Sequence, residues 1–529
     1  MIFITCFSCK KSAQEDEKFE VELSLPESIT VSESDLKITL KVLFSKPPKS
    51  SDIVELTDSN QEVHECSISY VSDNSIVIKL FDGFFTDNYL FSIRRGKNKK
   101  SFGSTKIVIE DSLKPEANST VYGKVMCEGK AVKDAIISDG VEVVKTDANG
   151  AYQLASKKRY GYVFISIPSG YKTGNIGVLP LLYQKLSKES NTAERVDFQL
   201  YPDENQKEHT MLVFGDMHLA NRNNDRNQFS RFTDDVNDYL SKHSGKKVYA
   251  LTLGDMTWDL YWYDNRYEFE AYLVDINKIK NLTIFHTIGN HDHDMMSDGD
   301  FNTIKKYKDN IAPDYYSFNI GEVHYVILDN ILCTNTGDGS RTYETKMTTE
   351  QLDWLAKDLS FVPKSKPIVV AMHATLSNIG SAERAKLSKA LEGYSNVHYI
   401  TGHSHKVNTN VSSTYTEHNS GAVCATWWWT GKNTSNKIHI GQDGAPGGYQ
   451  IFDINGNDLK WQFKATGKET DYQFRTYDRN QIEISSNKYL ASSKDEYKVA
   501  FDNLSDEWLS TSTSNEVYIN VWNYDSNWI

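Results

Sequence analysis

The chain changes its hydrophobic rhythm three times, and each change marks a segment. Between residues 19 and 112 apolar and polar positions alternate with period two, as at Phe19, Val21, Leu23 and Leu25, at Leu36, Ile38, Leu40 and Val42, and at Ile76, Ile78 and Leu80. Short alternating runs separated by turns predict strands buried on one face, here a β-sandwich of immunoglobulin size. Residues 113–119, with Pro115 and Asn118, read as a linker. Alternation then restarts at Thr120, with Asp147-Ala148-Asn149-Gly150 as a turn between strands, and predicts a second β domain over 119–200. From about 205 to 440 short continuous apolar runs alternate with amphipathic helical stretches such as 228–241 and 349–359, the pattern of an α/β core. Period two returns from Gly447 onward, which predicts a C-terminal β domain over 445–529 that is rich in Trp and Tyr.

Composition narrows the function classes. In 529 residues, 58 Lys and Arg stand against 71 Asp and Glu, a net charge of −13. That balance argues against gripping long nucleic acid or an anionic membrane through a basic surface. No run of about 18 apolar residues is present, so no segment reads as a membrane-spanning helix. The six cysteines are too few for a disulfide scaffold, and Cys66, Cys127, Cys333 and Cys424 read as small buried residues. Cys6 and Cys9 form a C-x-x-C without the βαβ context that redox chemistry needs. Residues 1–18 read instead as a leader and linker. The short apolar stretch ending at Ser8-Cys9 resembles the end of a bacterial lipoprotein signal, and Glu15-Asp16-Glu17 resembles a surface-export tag. The expectation is an exported bacterial lipoprotein, periplasmic or outer-membrane attached, that meets the membrane only through a lipid on Cys9.

The chemistry lies in the α/β segment, where five apolar runs each end in a polar motif. Residues 212–215 lead to Asp216 and His218. Residues 249–253 lead to Gly254-Asp255, with Asp259 four positions on. Residues 284–288 lead to Gly289-Asn290-His291-Asp292, residues 367–372 to His373, and residues 397–400 to Gly402-His403-Ser404-His405. Strand C-termini are where loops of an α/β sheet converge on a site. Each motif alone is weak, since Gly-Asp at a strand end also caps helices. Together they collect imidazole nitrogen, carboxylate and amide oxygen without thiolate, a donor set for Mn, Fe or Zn. Seven such side chains suit two divalent or trivalent metal ions sharing a carboxylate, which lower the pKa of a bridging water and clamp an in-line displacement at phosphorus.

This order of motifs resembles the calcineurin-like metallophosphoesterase superfamily over roughly residues 205–440. The resemblance implies a multidomain chain whose central α/β fold is a two-sheet β-sandwich flanked by helices, with β-sandwich modules on both sides. The 119–200 segment is similar to transthyretin-like domains, so together with the catalytic core and the Trp-rich β tail it resembles exported phosphoesterases with N- and C-terminal β domains. It further implies that Asp216, His218 and His405 hold the first metal, that Asp255 bridges, and that Asn290, His373 and His403 hold the second. His291 would stabilise the phosphoryl charge and protonate the leaving group, with Asp292 orienting it. Asp329, at the end of the 315–329 hairpin pattern, reads as a strand-end residue.

For the substrate, Arg222, Arg226 and Arg266 follow the first two motifs and offer phosphate-binding guanidiniums, although solvated helix faces are the commoner fate. Trp427, Trp428 and Trp429 offer a wall for a sugar or base, or else core. The expected partner is a small phosphorylated molecule, a nucleotide, sugar phosphate or lipid head group, and the reaction hydrolysis of a phosphodiester or phosphomonoester. The alternatives are a surface glycan-binding protein with a structural metal core and a Ser/Thr protein phosphatase.

Overall fold

A computed structural model describes residues 19–32, 35–428 and 438–524, so the leader and Cys9 lie outside the described residues. The chain divides into two compact units, residues up to 114 with 126–130, and residues 115–125 with 131–529. In the first, eight strands follow one continuous hydrogen-bonded order from Leu23–Ser24 to Ser28–Ser32, by way of the 13-residue strand Asn98–Glu110. Period two is visible in burial: Lys37–Val42 turns Ile38, Leu40 and Val42 inward and its lysines outward. Val54, Leu56, Ile76, Ile78, Phe91 and Ile93 fill that core.

The second unit holds the α/β core. One of its sheets runs Ile284–Phe285, Val248–Thr252, Glu208–Phe214, Gly448–Asn455, Asp458–Ala465, with the first three strands parallel. The other runs Tyr316–Ile320, Val323–Ile327, Ile368–Ala371, Val397–Thr401, Thr416–Ser420, Val407–Val411, with the middle four parallel. Phe285 of the first sheet stacks on Phe318 of the second at 3.6 Å, and His209 reaches the Tyr325 hydroxyl at 2.7 Å. Glu208–Phe214, Val248–Thr252, Val323–Ile327, Ile368–Ala371 and Val397–Thr401 are buried almost throughout and are continuous apolar runs of the sequence. Helices Asp225–Lys242 and Thr349–Leu359 lie where the 3.6-residue period places them. The small β domain is tied to this core by Trp354 Nε1 donating to Ser138 Oγ (3.1 Å) and Tyr315 donating to the Gly140 carbonyl (2.7 Å).

The C-terminal boundary expected at 440–445 requires correction. Gly448–Asn455 pairs antiparallel with Glu208–Phe214, so residues 448–465 complete the catalytic sheet rather than open a separate domain. Alternation identifies a strand but not the sheet that it joins. Beyond them, Phe474–Asp478 pairs with Val517–Val521, and helices Ser486–Tyr489 and Asp495–Leu504 lie between. Among the described residues no helix is long and apolar enough to cross a membrane. Cys66, Cys127, Cys333 and Cys424 are buried free thiols.

Candidate metal centre

Every motif sits just past the C-terminal end of a buried strand, so the loops converge at one edge of the two sheets. They turn sharply there. Asp216 (φ +48°), His218 (+46°), Asp255 (+51°), His403 (+64°) and His405 (+55°) all occupy the left-handed region. Non-glycine residues held there cost on the order of 1–3 kcal/mol each and cluster at functional sites. Two glycines let the turns abut. A Cβ on Gly254 would lie 2.5 Å from Gly289 N, and one on Gly289 would lie 2.4 Å from Asp255 Oδ1.

The side chains form two nests. In the first, His218 Nε2 lies 2.9 Å from His405 Nε2, 3.6 Å from Asp255 Oδ2 and 3.9 Å from Asp216 Oδ1, and His405 Nε2 lies 3.5 Å from Asp216 Oδ1. In the second, His373 Nε2 lies 2.9 Å from Asn290 Oδ1, 3.0 Å from His403 Nδ1 and 3.3 Å from Asp255 Oδ2. Asp255 Oδ2 therefore faces both nests. The tautomers matter here. His405 Nδ1 donates to the Ala425 carbonyl at 2.9 Å and His373 Nδ1 to that of Leu253 at 2.7 Å, which leaves each neutral ring with its Nε2 lone pair pointing inward. Once deprotonated, these nitrogens converge with the Asp216, Asp255 and Asn290 oxygens on two points where cations fit. The nitrogen and oxygen donors fit a two-ion centre of borderline or hard metals.

The side chains also shift one another's ionisation. Burial pushes the Asp216 carboxyl up to about 6. Burial also acts upward on Asp255, but His373, His291 and His218 outweigh it and hold its carboxyl well below the usual range. Burial lowers His218 well below its ordinary value and His403 to about 4. The Cys424 thiol shares the first nest with His218 and His405, which the sequence reading did not foresee. Burial pushes it well above the usual thiol range, so it stays a neutral neighbour.

His291 lies beside the first nest, 4.9 Å from His218 between ring centroids. Its expected partner is corrected by the structure. Asp292 accepts instead from Thr257 N (3.1 Å), Thr257 Oγ1 (3.0 Å), Gly289 N (3.1 Å) and Met256 N (3.3 Å), and so joins the second motif's loop to the third's. Asp259 is the residue that reaches His291 Nδ1, at 2.9 Å. Arg341, which no motif pointed to, donates to the same Asp259 oxygen at 2.9 Å.

The other expected substrate contacts divide. Trp427 lies over His218 (4.2 Å between centroids) and beside Trp258 (4.6 Å), and Arg222 stacks on Trp258 (5.5 Å) and Tyr261 (4.8 Å) at the rim. Trp428 turns away into the core, where Nε1 donates to the Met217 carbonyl at 2.7 Å and the ring meets Phe229. Arg226 is occupied by Asp275 (2.7 Å), which corrects its expected role in holding phosphate. Arg266 is exposed, ahead of helix Phe269–Ile276. Asp329 is a loop former, accepting from Ile331 N at 2.9 Å.

Three family models match the chain in series: the N terminal of Calcineurin-like phosphoesterase over 119–203, Calcineurin-like phosphoesterase over 209–407, and the C terminal of Calcineurin-like phosphoesterase over 417–529. Among curated proteins none matches. Similar solved structures include the purple acid phosphatase PPD1 from yellow lupin seeds, at 12% identity over 85% of this chain and 94% of that one, with a TM-score of 0.34. Another is GAP50, the anchor in the inner membrane complex of Plasmodium, at 14% identity over 50% and 87%, with a TM-score of 0.32. With the three models spanning most of residues 119–529 in this order, the chain belongs to the calcineurin-like phosphoesterases that carry N-terminal and C-terminal accessory domains.

Proposed function

We propose that the protein hydrolyses a small phosphoester with two metal ions. Asp216, His218 and His405 would hold one ion, Asn290, His373 and His403 the other, and Asp255 both. The observation that carries this reading is the pair of nests in which buried imidazole nitrogens and carboxylate and amide oxygens converge around Asp255 Oδ2. When bound, the ions supply Lewis-acid activation of water and of the phosphoryl group. The chain's own residues do the rest. Asp259 holds the Nδ1 proton of His291 and so directs Nε2 at the reacting group, where a protonated ring gives its proton to the departing ester oxygen. Trp258 and Trp427 wall the mouth beside His218 and offer an apolar surface to the organic part of the ester. The leader-like segment supports an exported protein anchored by a lipid on Cys9, which metabolic labelling with palmitate tests against Cys9→Ser.

Metal-stripped protein resupplied with Mn²⁺, Zn²⁺ or Fe²⁺ is the test, with bis(p-nitrophenyl) phosphate and p-nitrophenyl phosphate as substrates. Turnover that returns with metal and is lost in Asp255→Asn and His291→Ala is the expected result. Absence of both bound metal and turnover would overturn the reading in favour of a binding protein.

A further inference from the structure

The hairpin of Ile331–Cys333 and Tyr343–Thr345 carries Arg341 to the centre. Its Nη1 lies 2.9 Å from Asp259 Oδ1 and 3.2 Å from His291 Nε2, and it also touches His291 Nδ1. The loop that holds it is ordered by its own bonds. Thr334 N donates to the Thr342 carbonyl (2.8 Å), Thr342 N to Asn335 Oδ1 (2.8 Å), and Cys333 N to Asp300 Oδ1 (2.8 Å). Tyr343, from the same hairpin, faces His403 at 6.5 Å between centroids.

The position of the guanidinium is informative. Nη1 lies closer to Nδ1 of His291 than to Nε2, on the Asp259 side of the ring, so the guanidinium sits against the Asp259–His291 pair and leaves the Nε2 lone pair open. Among the described residues the Nε and Nη2 donors of Arg341 make no hydrogen bond, and the side chain is only 23% exposed. A half-used, sheltered fork beside the acid end of the site is built to take oxygens from something that arrives there.

We propose that Arg341 binds an unsubstituted anionic oxygen of the substrate's phosphoryl group and makes the site select phosphomonoesters over phosphodiesters. The inference rests on the phosphoester reading above. A monoester presents one more free oxygen, and one more negative charge, than a diester, which bears a carbon substituent there. Guanidinium matches phosphate oxygens bidentately, whereas an ammonium meets them as a point charge. With Nη1 beside Asp259, the unused Nε and Nη2 donors meet the phosphoryl oxygen while His291 Nε2 stays open to the leaving oxygen.

The test uses metal-loaded full-length protein carrying Arg341→Gln or Arg341→Lys, with metal content and thermal unfolding measured alongside. Arg341→Gln is expected to lose about 100-fold in kcat/KM on p-nitrophenyl phosphate. Bis(p-nitrophenyl) phosphate turnover should fall by about tenfold or less, since the diester keeps fewer free oxygens and less charge for the guanidinium, and Arg341→Lys should lie between wild type and Arg341→Gln on the monoester. Calorimetry with inorganic phosphate should show binding weakened at least about tenfold in the Gln variant. Equal losses on both esters, or unchanged phosphate binding, would overturn the proposal. Wild-type protein that binds phosphate through Arg341 yet cleaves neither ester would sink the hydrolase reading and leave this one standing.

Discussion

His218 Nε2 and His405 Nε2 stand 2.9 Å apart, although the Nδ1 proton of His405 is already committed to the Ala425 carbonyl. His218, whose Nδ1 has no hydrogen-bond partner, is therefore the donor across that gap, and Asp216 and Asp255 add negative charge around the pair. A cation bound to both nitrogens would displace that single proton and offset the carboxylate charge, a gain that only the folded chain offers.

Metal binding should stabilise the fold accordingly. At a free ion concentration a hundredfold above Kd, each occupied site adds about 2.7 kcal/mol. Scanning calorimetry of stripped and reloaded protein should show the melting transition rise with each equivalent, up to two. Asp255→Asn should reload one ion or none by elemental analysis, since its carboxylate serves both nests. Melting that ignores chelation would count against a structural role for the ions.

Ion uptake should also depend on pH with a defined sign. Burial alone would lower His373, but the carboxylates of Asp255 and Asp216 outweigh it and push the ring up to about 9 in the metal-free protein. Below that value the ring is protonated, and an ion entering the second nest must displace the proton. Affinity should therefore rise about tenfold per pH unit for one displaced proton, and level off above about pH 9. Zinc titrations in buffers of different ionisation enthalpy would read the released proton directly. A pH-independent affinity would show that His373 is not the competing group.

Much of this centre was legible because its residues sit where strands end. The apolar runs before Asp216, Asp255, Asn290, His373 and His403 are strands Glu208–Phe214, Val248–Thr252, Ile284–Phe285, Ile368–Ala371 and Val397–Thr401, and their parallel pairing delivers the motifs to one edge. Arg341 was not legible, because it rides a polar loop whose position depends on Asn335, Thr334 and Asp300, without periodicity of its own. Arg226 misled for a related reason. It follows the first motif in sequence, but Asp275, 49 residues away, claims it. The strands Gly448–Asn455 and Asp458–Ala465 alternate like an independent domain, and only their pairing with Glu208–Phe214 reveals the sheet they complete.

The two acids near His291 should behave differently on substitution. Asp259 touches the imidazole itself, so Asp259→Asn should slow turnover of esters with poor leaving groups by about 100-fold and leave metal content unchanged. The loss should shrink for p-nitrophenyl esters, whose leaving group needs little proton assistance. Asp292 instead accepts from Thr257 N, Met256 N and Gly289 N, which fix the loops bearing Asp255 and Asn290. Asp292→Asn should weaken metal retention and slow good and poor leaving groups alike. A leaving-group series run on both variants would separate them, and parallel slopes would refute the division of roles.

The adjacent tryptophans make the opposite kind of pair. Trp428 is 3% exposed, holds the Met217 carbonyl through Nε1 and packs against Phe229, so Trp428→Ala should cost about 3–5 kcal/mol of stability. Trp427 is half-buried over His218 and beside Trp258, where truncation opens the mouth rather than the core. Trp427→Ala should stay within about 1 kcal/mol of the parent. Its KM for an aryl phosphate should rise by up to about tenfold, the worth of one aromatic contact, with a smaller change for an alkyl phosphate. Denaturant melts and paired KM values on the two esters measure both effects. Equal destabilisation by the two substitutions would place Trp427 in the core as well and remove it from the substrate's wall.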